Sequence, residues 1–335
     1  MATMVEMAGM AGMAGMARKA YLGVDVGSVS TNLVVLDERG DVLESLYLRT
    51  RGDPIAVIQE GMRTLAQAAS GLEMAGVGTT GSGRRLAGVI LGADCVKNEI
   101  TAHAVASARV VPDVRTVIEI GGQDSKIIIL RDGAVLDFAM NTVCAAGTGS
   151  FLDQQAGRLG VPIERFGELA LMSTTPVRIA GRCAVFAESD MIHKQQMGHR
   201  IEDIVAGLCE ALVRNYLNNV GKGKDIRPPV VFQGGVAANA GMRAAFEKAL
   251  ATPIAVPEHY NVMGAIGAAL LAAEQVDRRG GGASRFRGFQ ALDMDYAASS
   301  FECKGCPNLC EVVNIKMGHE VIARWGSRCG KWDSF

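Results

Sequence analysis

The stretch that decides the fold is Val24-Asp25-Val26-Gly27-Ser28-Val29-Ser30-Thr31, which reads as a buried strand, a glycine turn and the start of a second strand. A similar pattern returns as Ile118-Glu119-Ile120-Gly121-Gly122, at an offset of 94 residues. The same offset aligns Leu33-Val34-Val35-Leu36 with Ile127-Ile128-Ile129-Leu130. A strand-turn-strand unit repeated at this distance predicts duplicated lobes that face each other across a cleft. The alternative is a chance similarity between two buried hairpins.

The rest of the hydrophobic pattern predicts an α/β chain. Residues 20–69 read as three strands followed by a helix, and an amphipathic helix over residues 201–220 precedes a buried strand at 230–232. A glycine-rich stretch at 278–284 has the composition of a linker. We therefore predict a low-complexity tail (1–19), a first lobe (20–115), a second lobe (116–277), a linker (278–299) and a cysteine-rich tail (300–335).

The composition of the 335-residue chain narrows the classes of partner. Lys and Arg number 34 and Asp and Glu 35, so the net charge of -1 provides no broad field for nucleic acid or anionic lipid. No apolar run approaches the ~20 residues that a membrane-spanning helix needs. The Met-Ala-Gly repeat before Arg18 has its charges on the wrong side for a secretory signal, which favours a disordered tail and a cytoplasmic protein. In that compartment, eight cysteines point to metal or redox chemistry more than to disulfides.

Three loops have the composition of a nucleotide site. Around Gly27, backbone amides and small hydroxyls can face an anion while Asp25 faces a metal ion. The loop Gly121-Gly122-Gln123-Asp124-Ser125-Lys126 repeats the design with a carboxylate and an amide at its tip. In the third loop, Gly234-Gly235 lets a base or a ribose lie against the backbone.

In their order along the chain, these loops resemble the nucleotide-binding elements of the ATPase superfamily of actin, the Hsp70 chaperones and the sugar kinases. That resemblance implies a two-lobed α/β ATPase fold with duplicated lobes, followed here by the small cysteine-rich tail. The chain has no Gly-x4-Gly-Lys-Ser/Thr motif, and its first glycine turn leads into a strand instead of a helix. Both facts exclude P-loop and Rossmann sites.

Three longer motifs are more specific than the fold. They are Glu119-Ile120-Gly121-Gly122-Gln123-Asp124-Ser125-Lys126, Asn141-Thr142-Val143-Cys144-Ala145-Ala146-Gly147-Thr148-Gly149-Ser150-Phe151-Leu152 and Gly181-Arg182-Cys183-Ala184-Val185-Phe186-Ala187-Glu188-Ser189-Asp190-Met191. Together they resemble the ATP-dependent activators of 2-hydroxyacyl-CoA dehydratases, a family that shares homologous subunits with ATP-dependent benzoyl-CoA reductases. The resemblance covers residues 21–273.

This resemblance implies a homodimer with one 4Fe-4S cluster between its subunits, held by Cys144 and Cys183 of each chain. A cubane needs four thiolates, and a two-fold axis would supply the second pair. Each cysteine precedes a predicted helix, at 150–159 and 184–195, whose positive end would favour an anionic cluster. The family further implies reduction by ferredoxin or flavodoxin, an ATP-driven change in the angle between these helices, and electron transfer to the dehydratase. Hydrolysis would then reset the dimer.

The resemblance also assigns residues to the nucleotide. Asp25 and Asp124 would hold Mg2+, and either Gln123 or Asp124 would orient the hydrolytic water, with the choice left open. The residues expected around the phosphates are Gly27, Ser28, Ser30, Thr31, Gly122, Gln123, Gly147, Thr148 and Gly149, and those expected around the adenosine are Gly234, Gly235 and Asn239.

The other cysteines and histidines receive separate interpretations. Cys95 and Cys209 are expected to pack in the core. A lone histidine near a helix is usually a surface or capping residue, so neither His103 nor His193 is assigned a role.

The tail departs from single-domain activators. Its four cysteines, Cys303, Cys306, Cys310 and Cys329, can satisfy a tetrahedral zinc ion or a second 4Fe-4S cluster, with free thiols as the alternative. The tail resembles a cysteine-rich segment of longer, multidomain members of the activator family.

Three alternatives to a dehydratase activator stay open. One is the ATPase component of a benzoyl-CoA-type reductase, and another is a small-molecule kinase on the same fold, such as an N-acetylhexosamine kinase. The third is a non-catalytic regulator that releases a partner when ATP turns over. The kinase hypothesis leaves Cys144 and Cys183 without a role.

Overall fold

The computed structural model describes residues 18–141, 144–289 and 294–334. Its first lobe contains, in chain order, β1 (Arg18–Val26), β2 (Ser30–Asp37), β3 (Val42–Arg49), α1 (Pro54–Ala68), β4 (Leu72–Thr80), α2 (Arg84–Leu91), β5 (Cys95–Val96) and α3 (Glu99–Val110). The strands form a five-stranded sheet in the order β3-β2-β1-β4-β5, with β4 and β5 parallel to β1 and with β2 antiparallel to both of its neighbours. Most of the predicted tail at 1–19 lies outside the described residues.

The second lobe repeats this arrangement. It contains β6 (Thr116–Ile120), β7 (Ser125–Arg131), β8 (Ala134–Asn141), α4 (Gly149–Leu159), α5 (Ile163–Leu171), α6 (Ala184–Gln196), α7 (Ile201–Asn219), β9 (Val230–Gln233), α8 (Ala240–Leu250) and β10 (Ile254–Ala255), with short 3-10 helices at Ala145–Gly147 and Gly235–Ala238. The helix that follows, α9 (Met263–Arg278), returns to pack against the first sheet. Its sheet has the order β8-β7-β6-β9-β10, in which each strand stands five places after its counterpart in the first sheet. The predicted two-lobed α/β fold with duplicated lobes is confirmed.

The repeat extends to the pairing of individual residues. Asp25 of β1 lies opposite Asn32 of β2, and Glu119 of β6 lies opposite Lys126 of β7, so the offset of 94 residues preserves the strand register. Because side chains alternate between the two faces of a strand, the equivalent positions of both hairpins also face equivalent directions.

This alternation separates the core from the cleft. In the first lobe, Val24 and Leu33 pack in one core with residues of α1 and α2. In the second lobe, the equivalent residues Ile118 and Ile127 pack in the core that contains residues of α5, α7 and α8. The opposite face of the first sheet packs against α9, and the opposite face of the second sheet packs against α3. The polar side chains at positions 25, 32, 119 and 126 point to these two faces.

Helix α9 approaches the first sheet more closely than any residue with a side chain would allow. A Cβ atom on Gly23 would lie 1.9 Å from the carbonyl oxygen of Ala265, and one on Gly78 would lie 2.0 Å from that of Ala268. Both contacts are with backbone, which cannot move aside. Glycine at these two strand positions therefore sets the distance between α9 and the sheet.

The cysteine-rich tail forms a third, antiparallel sheet of β11 (Tyr296–Glu302), β12 (Glu311–Met317) and β13 (Glu320–Trp325). Tyr296 and Ile315 join the core of the first lobe. Part of the predicted linker is also held to this lobe, because the backbone N–H of Arg285 donates to Oδ1 of Asp94 at 3.1 Å. Residues 290–293 of the linker lie outside the described residues.

None of the described helices combines the length and the apolar composition that crossing a membrane requires.

We predict that Gly78→Ala lowers the free energy of unfolding by about 1–3 kcal/mol or more, because the new methyl group forces α9 away from the sheet. Urea denaturation measures the change. The matched control is Gly157→Ala in α4, where a Cβ atom meets nothing within 4 Å. Since glycine disfavours a helix interior, this variant should gain about 0.5–1 kcal/mol. Equal effects at the two sites would contradict the packing argument.

Candidate nucleotide-binding site

Two hairpin turns meet at the cleft between the lobes. In the first, the backbone N–H of Gly27 donates to the carbonyl of Ser30 at 2.8 Å, and in the second that of Gly121 donates to Asp124 at 3.0 Å. A cavity of about 150 Å³ lies between the turns. The predicted residues that line it are Asp25, Gly27, Ser28, Ser30, Gly122, Gln123, Asp124, Gly234 and Gly235. The structure thus brings together the three loops selected from the sequence.

A buried lysine lies among three carboxylates at the floor of this cavity. The Nζ atom of Lys126 is 2.9 Å from Glu119 Oε2, 2.9 Å from Asp124 Oδ2 and 3.4 Å from Glu99 Oε2. Burial alone would lower the pKa of Lys126, but the three carboxylates outweigh it and raise that pKa above its ordinary value. The pKa of Glu119 is raised by its own burial, against the effect of Lys126. The ammonium group is therefore charged, and it offsets part of the negative charge beside the cavity.

Asp25 reaches the cavity from the first lobe. Burial and the nearby Glu99 raise its pKa to about 7. A Cβ atom on Gly264, near the start of α9, would lie 2.1 Å from Asp25 Oδ2. Glycine at that position leaves room for the carboxylate. Asn32, which is opposite Asp25 on β2, has a buried Oδ1 atom without a hydrogen-bond partner among the described residues. A polar atom buried in this way marks a place where a ligand or water can bind.

A second cavity, of about 360 Å³, continues from the first. The two share Tyr47, Gly121, Gly122 and Gly235 as lining residues. The second is also lined by the apolar side chains of Leu152, Ile163 and Val236, by Gly149 and Asn239, and by the charged side chains of Arg49, Asp153 and Glu164. A flat base can lie against the apolar side chains while polar groups contact its edge.

Asn239 has two separate functions in this cavity. Its Oδ1 atom caps α8 by accepting a hydrogen bond from the backbone N–H of Met242 at 3.0 Å. Its Nδ2 atom is buried and has no partner within the described part of the chain. The amide group is therefore available as a hydrogen-bond donor to a bound molecule.

Three of the residues predicted around the phosphates do not line either cavity. The Thr31 hydroxyl is buried and lies 3.0 Å from the hydroxyl of Thr50, which in turn donates to the Gly27 carbonyl. Thr148 donates from Oγ1 to the Ala145 carbonyl at 2.8 Å, and the preceding Gly147 is buried. In this structure, these residues stabilise the loops on the side that does not face the cavities.

His103 differs from the interpretation made from the sequence. It is buried and lines the first cavity, and its Nδ1 atom lies 2.8 Å from Nε2 of Gln233. Ser107 donates to the other end of this amide, to Oε1 at 2.9 Å. Burial and the nearby Lys126 lower the pKa of His103 to about 4, so the imidazole is neutral near pH 7. The surface or capping role was wrong because a helix that lies between two sheets has no free face. His193, by contrast, is exposed.

Cys144 and Cys183 occupy equivalent positions at helix starts. Cys144 precedes the 3-10 helix that leads into α4, and Cys183 is the N-cap residue of α6. Both side chains are half-buried, whereas Cys95 and Cys209 are buried in the core, as predicted. Beside Cys183, the side chains of Val185 and Phe186 are 68% and 66% exposed. Two adjacent apolar side chains are therefore open to solvent beside Cys183.

The segment that follows Cys144 is hydrogen-bonded directly to the second turn, Gly121–Asp124, which is the turn predicted to face the phosphates and is called the phosphate turn below. The backbone N–H of Gly149 donates to the Gly121 carbonyl at 2.8 Å, and that of Ser150 donates to the Gly122 carbonyl at 2.9 Å. These amides are the first of α4, and they fix the start of the helix to the turn. A displacement of the turn would therefore move α4 and the chain between it and Cys144.

The four tail cysteines differ in exposure. Cys303 is buried and accepts a hydrogen bond from the Trp332 indole at 3.2 Å, while Cys306 and Cys329 are exposed. Among residues 18–141, 144–289 and 294–334, no three Cys, His, Asp or Glu side chains are grouped closely enough to hold a metal ion. The tail thiols are thus not gathered into a site, and a metal at the tail stays a prediction.

The fold and the cleft define a two-lobed α/β nucleotide-binding protein. The chain belongs to the BadF/BadG/BcrA/BcrD ATPase family, whose profile matches residues 22–272. The family resemblance drawn from the motifs is confirmed. The third sheet lies beyond the matched residues.

Named relatives make the similarity more specific. The chain is 38% identical to the (R)-2-hydroxyglutaryl-CoA dehydratase activating ATPase of Acidaminococcus fermentans, over 75% of this chain and 96% of that protein. The structure of the activator of 2-hydroxyisocaproyl-CoA dehydratase from Clostridium difficile with bound ADPNP is 33% identical, with a TM-score of 0.68, over 78% of this chain and 97% of the other. One of the subunits of the benzoyl-CoA reductase of Thauera aromatica is 28% identical, over 75% and 92% of the two chains.

We predict that Asn239→Asp and Asn239→Ser both weaken the binding of ADPNP about three- to tenfold, since each removes the Nδ2 amino group. Both substitutions keep an oxygen that can cap α8, so the free energy of unfolding should change little. Isothermal titration calorimetry and urea denaturation separate the two effects. Unchanged affinity in both variants would show that the Nδ2 atom does not contact the nucleotide.

We also predict that Lys126→Met costs about 3–5 kcal/mol in the free energy of unfolding, because it leaves Glu119 buried without its cation. The double variant Lys126→Met/Glu119→Gln should recover most of this loss. Glu119→Gln alone, which leaves Lys126 beside Asp124 and Glu99, is the matched control and should cost less. Urea denaturation of the unmodified protein, the two single variants and the double variant completes a double-mutant cycle. If the losses in the free energy of unfolding of the two single variants simply add up in the double variant, the ion pair makes no contribution to stability.

Proposed function

We propose that this protein is an ATP-dependent activator that delivers a low-potential electron to a 2-hydroxyacyl-CoA dehydratase. The single observation that carries the proposal is the pair of hydrogen bonds from Gly149 and Ser150 to Gly121 and Gly122, which join the Cys144 segment to the nucleotide cleft. The named function of the Acidaminococcus fermentans relative supports it.

The residues present fit a nucleotide with Mg2+. Asp25 and Asp124 line opposite sides of one cavity, and Mg2+ in such sites typically binds one or two carboxylates together with phosphate oxygens and water. A site of this kind does not need three protein ligands. The amides of the two turns would face the phosphates, and the free Nδ2 atom of Asn239 would reach the adenosine.

Gln123 is the better candidate for orienting the hydrolytic water. Its side chain is exposed to the cleft and makes no hydrogen bond within the described residues, whereas Asp124 is paired with Lys126. A free amide can accept from a water molecule and donate to a phosphate oxygen at once.

Cys144 and Cys183 fit half of the ligand set of a 4Fe-4S cluster. Two half-buried thiols from each chain, related by a two-fold axis, provide the four thiolates of a cubane in a homodimer. The partner chain would also cover Val185 and Phe186. When bound, the cluster would supply one-electron transfer at low potential, with ferredoxin or flavodoxin as the donor.

Contacts between α4 and α6 link the two helices that follow the cysteines. Arg158 of α4 lies 2.9 Å from Glu188 of α6, and Gln154 donates to the same carboxylate at 3.3 Å. A change at the phosphate turn would therefore reach both helices. Because a nucleotide shifts a conformational equilibrium only by binding one state better, ATP and ADP would have to favour different positions of α4.

A second candidate is the ATPase component of a benzoyl-CoA-type reductase, which the similarity to the Thauera aromatica enzyme favours. The same residues would carry the electron to a different partner. Electron transfer to a purified 2-hydroxyacyl-CoA dehydratase, compared with transfer to a benzoyl-CoA reductase core, distinguishes the two.

We predict that the protein purified under strict exclusion of air is a brown dimer with about four irons per pair of chains. Cys144→Ser and Cys183→Ser should each lose the colour and the iron, whereas Cys95→Ala should keep both. Iron analysis and gel filtration measure the outcome. A colourless protein that phosphorylates sugars would favour a kinase and overturn the proposal.

The tail is tested in the same preparation by Cys306→Ser. If this variant keeps the iron and zinc content of the unmodified protein, the tail holds neither metal. Loss of zinc, or of iron beyond four per dimer, would support the prediction of a metal at Cys303, Cys306, Cys310 and Cys329.

A further inference from the structure

Asn215 of α7 contacts the segment that leads into Cys183. Its side chain is buried, and its Nδ2 atom donates to the carbonyl of Gly181 and, at 3.5 Å, to that of Arg182. These two carbonyls immediately precede Cys183. One amide group therefore bonds to both of the residues that precede Cys183.

The same side chain bounds the segment that follows Cys144. A Cβ atom on Gly147 would lie 2.8 Å from Oδ1 of Asn215 and 3.1 Å from Nδ2 of Asn141. The Asn141 side chain binds both backbone groups of Cys144: it accepts a hydrogen bond from the N–H at 2.9 Å and donates one to the carbonyl at 2.8 Å. Gly147 thus fits between two amide side chains, and Asn215 lies against both cysteine-bearing segments.

The next residue of α7 anchors the helix to the nucleotide cleft. The Tyr216 hydroxyl donates to the backbone carbonyl of Lys126 at 2.6 Å, and this tyrosine is fully buried. Lys126 is the residue whose ammonium group contacts Asp124 at the phosphate turn. One turn of α7 therefore connects β7, the Cys144 segment and the Cys183 segment.

An asparagine suits this position better than its isosteres. Its Oδ1 atom accepts from Nδ2 of Asn219 at 2.9 Å, which orients the amide so that Nδ2 points to the Gly181 carbonyl. An aspartate would place a negatively charged oxygen against two carbonyl oxygens. A leucine would leave those buried carbonyls without a donor.

We propose that Asn215 is a positioning residue that sets the separation of the Cys144 and Cys183 thiols and makes it depend on the bound nucleotide. The proposal deepens the proposed function, since it concerns the same two thiols. It requires that this separation, and with it the exposure of at least one thiol, changes when the phosphate turn changes. The exposure can be measured without a cluster, by the rate at which each thiol is alkylated.

The test uses the full chain in its cluster-free form, with both thiols reduced. The rates of alkylation of Cys144 and Cys183 by iodoacetamide are followed by peptide mass spectrometry with Mg-ADPNP and with Mg-ADP. In the unmodified protein, we expect the two nucleotides to change at least one rate by about fivefold or more. Asn215→Asp and Asn215→Leu should remove this difference while ADPNP affinity stays within about twofold of the unmodified value.

The matched control is Asn218→Asp, the same substitution at an exposed position of α7. It should keep the nucleotide-dependent difference. If the Asn215 variants fail to fold, Gly147→Ala approaches the same contact from the other segment. Its methyl group would displace the Asn215 amide, and it should also reduce the difference.

Retention of the full difference in folded Asn215 variants would overturn the proposal. So would equal alkylation rates with both nucleotides in an unmodified protein that binds them. Either result leaves the activator function standing if four irons are found per dimer. Conversely, absence of iron would overturn the activator function, while a nucleotide-dependent rate that Asn215 controls would still support the positioning role.

Discussion

Two backbone hydrogen bonds, from Gly149 to Gly121 and from Ser150 to Gly122, join the nucleotide cleft to the part of the chain that carries Cys144. The first amides of a helix are normally free to bind an anion or a capping side chain. Here they are used to fix α4 to the turn that would face the phosphates. Because both partners are backbone groups, the connection has no side-chain freedom to absorb a movement. This rigidity gives a nucleotide-dependent change at the cysteines a physical route.

The charges of the cleft suit a ligand that brings both a cation and an anion. Lys126 offsets part of the charge of Glu119, Asp124 and Glu99, while Asp25 is kept partly protonated near neutral pH by burial and by its acidic neighbours. A divalent cation would favour the ionised form of Asp25, and its own charge would be balanced by phosphate oxygens. The same electrostatic balance would disfavour a nucleotide that arrives without its metal ion.

The offset of 94 residues carried more information than a prediction of two lobes. It also makes the position of Glu119 equivalent to that of Asp25 and the position of Lys126 equivalent to that of Asn32, so the two polar positions of the second hairpin could have been located from the first. The predicted helices at 150–159 and 184–195 agree closely with α4 and α6. His103 could not be recognised, because its burial depends on α3 lying between two sheets. Asn215 could not be recognised either, since its contacts with the two cysteine-bearing segments are with residues 33 or more positions away in the chain.

Sequence by itself determined the duplicated α/β lobes, the three loops of the cleft and the two cysteines that precede helices, because these follow from local alternation, glycine turns and short motifs. Tertiary structure alone decided which polar groups face the cavity. It paired Lys126 with three carboxylates, turned the Thr31 and Thr148 hydroxyls away from the cleft, and placed one asparagine against both cysteine segments. Such contacts depend on the distance between elements that are far apart in the chain, and that distance is set by the packing of α7 and α9 against the sheets.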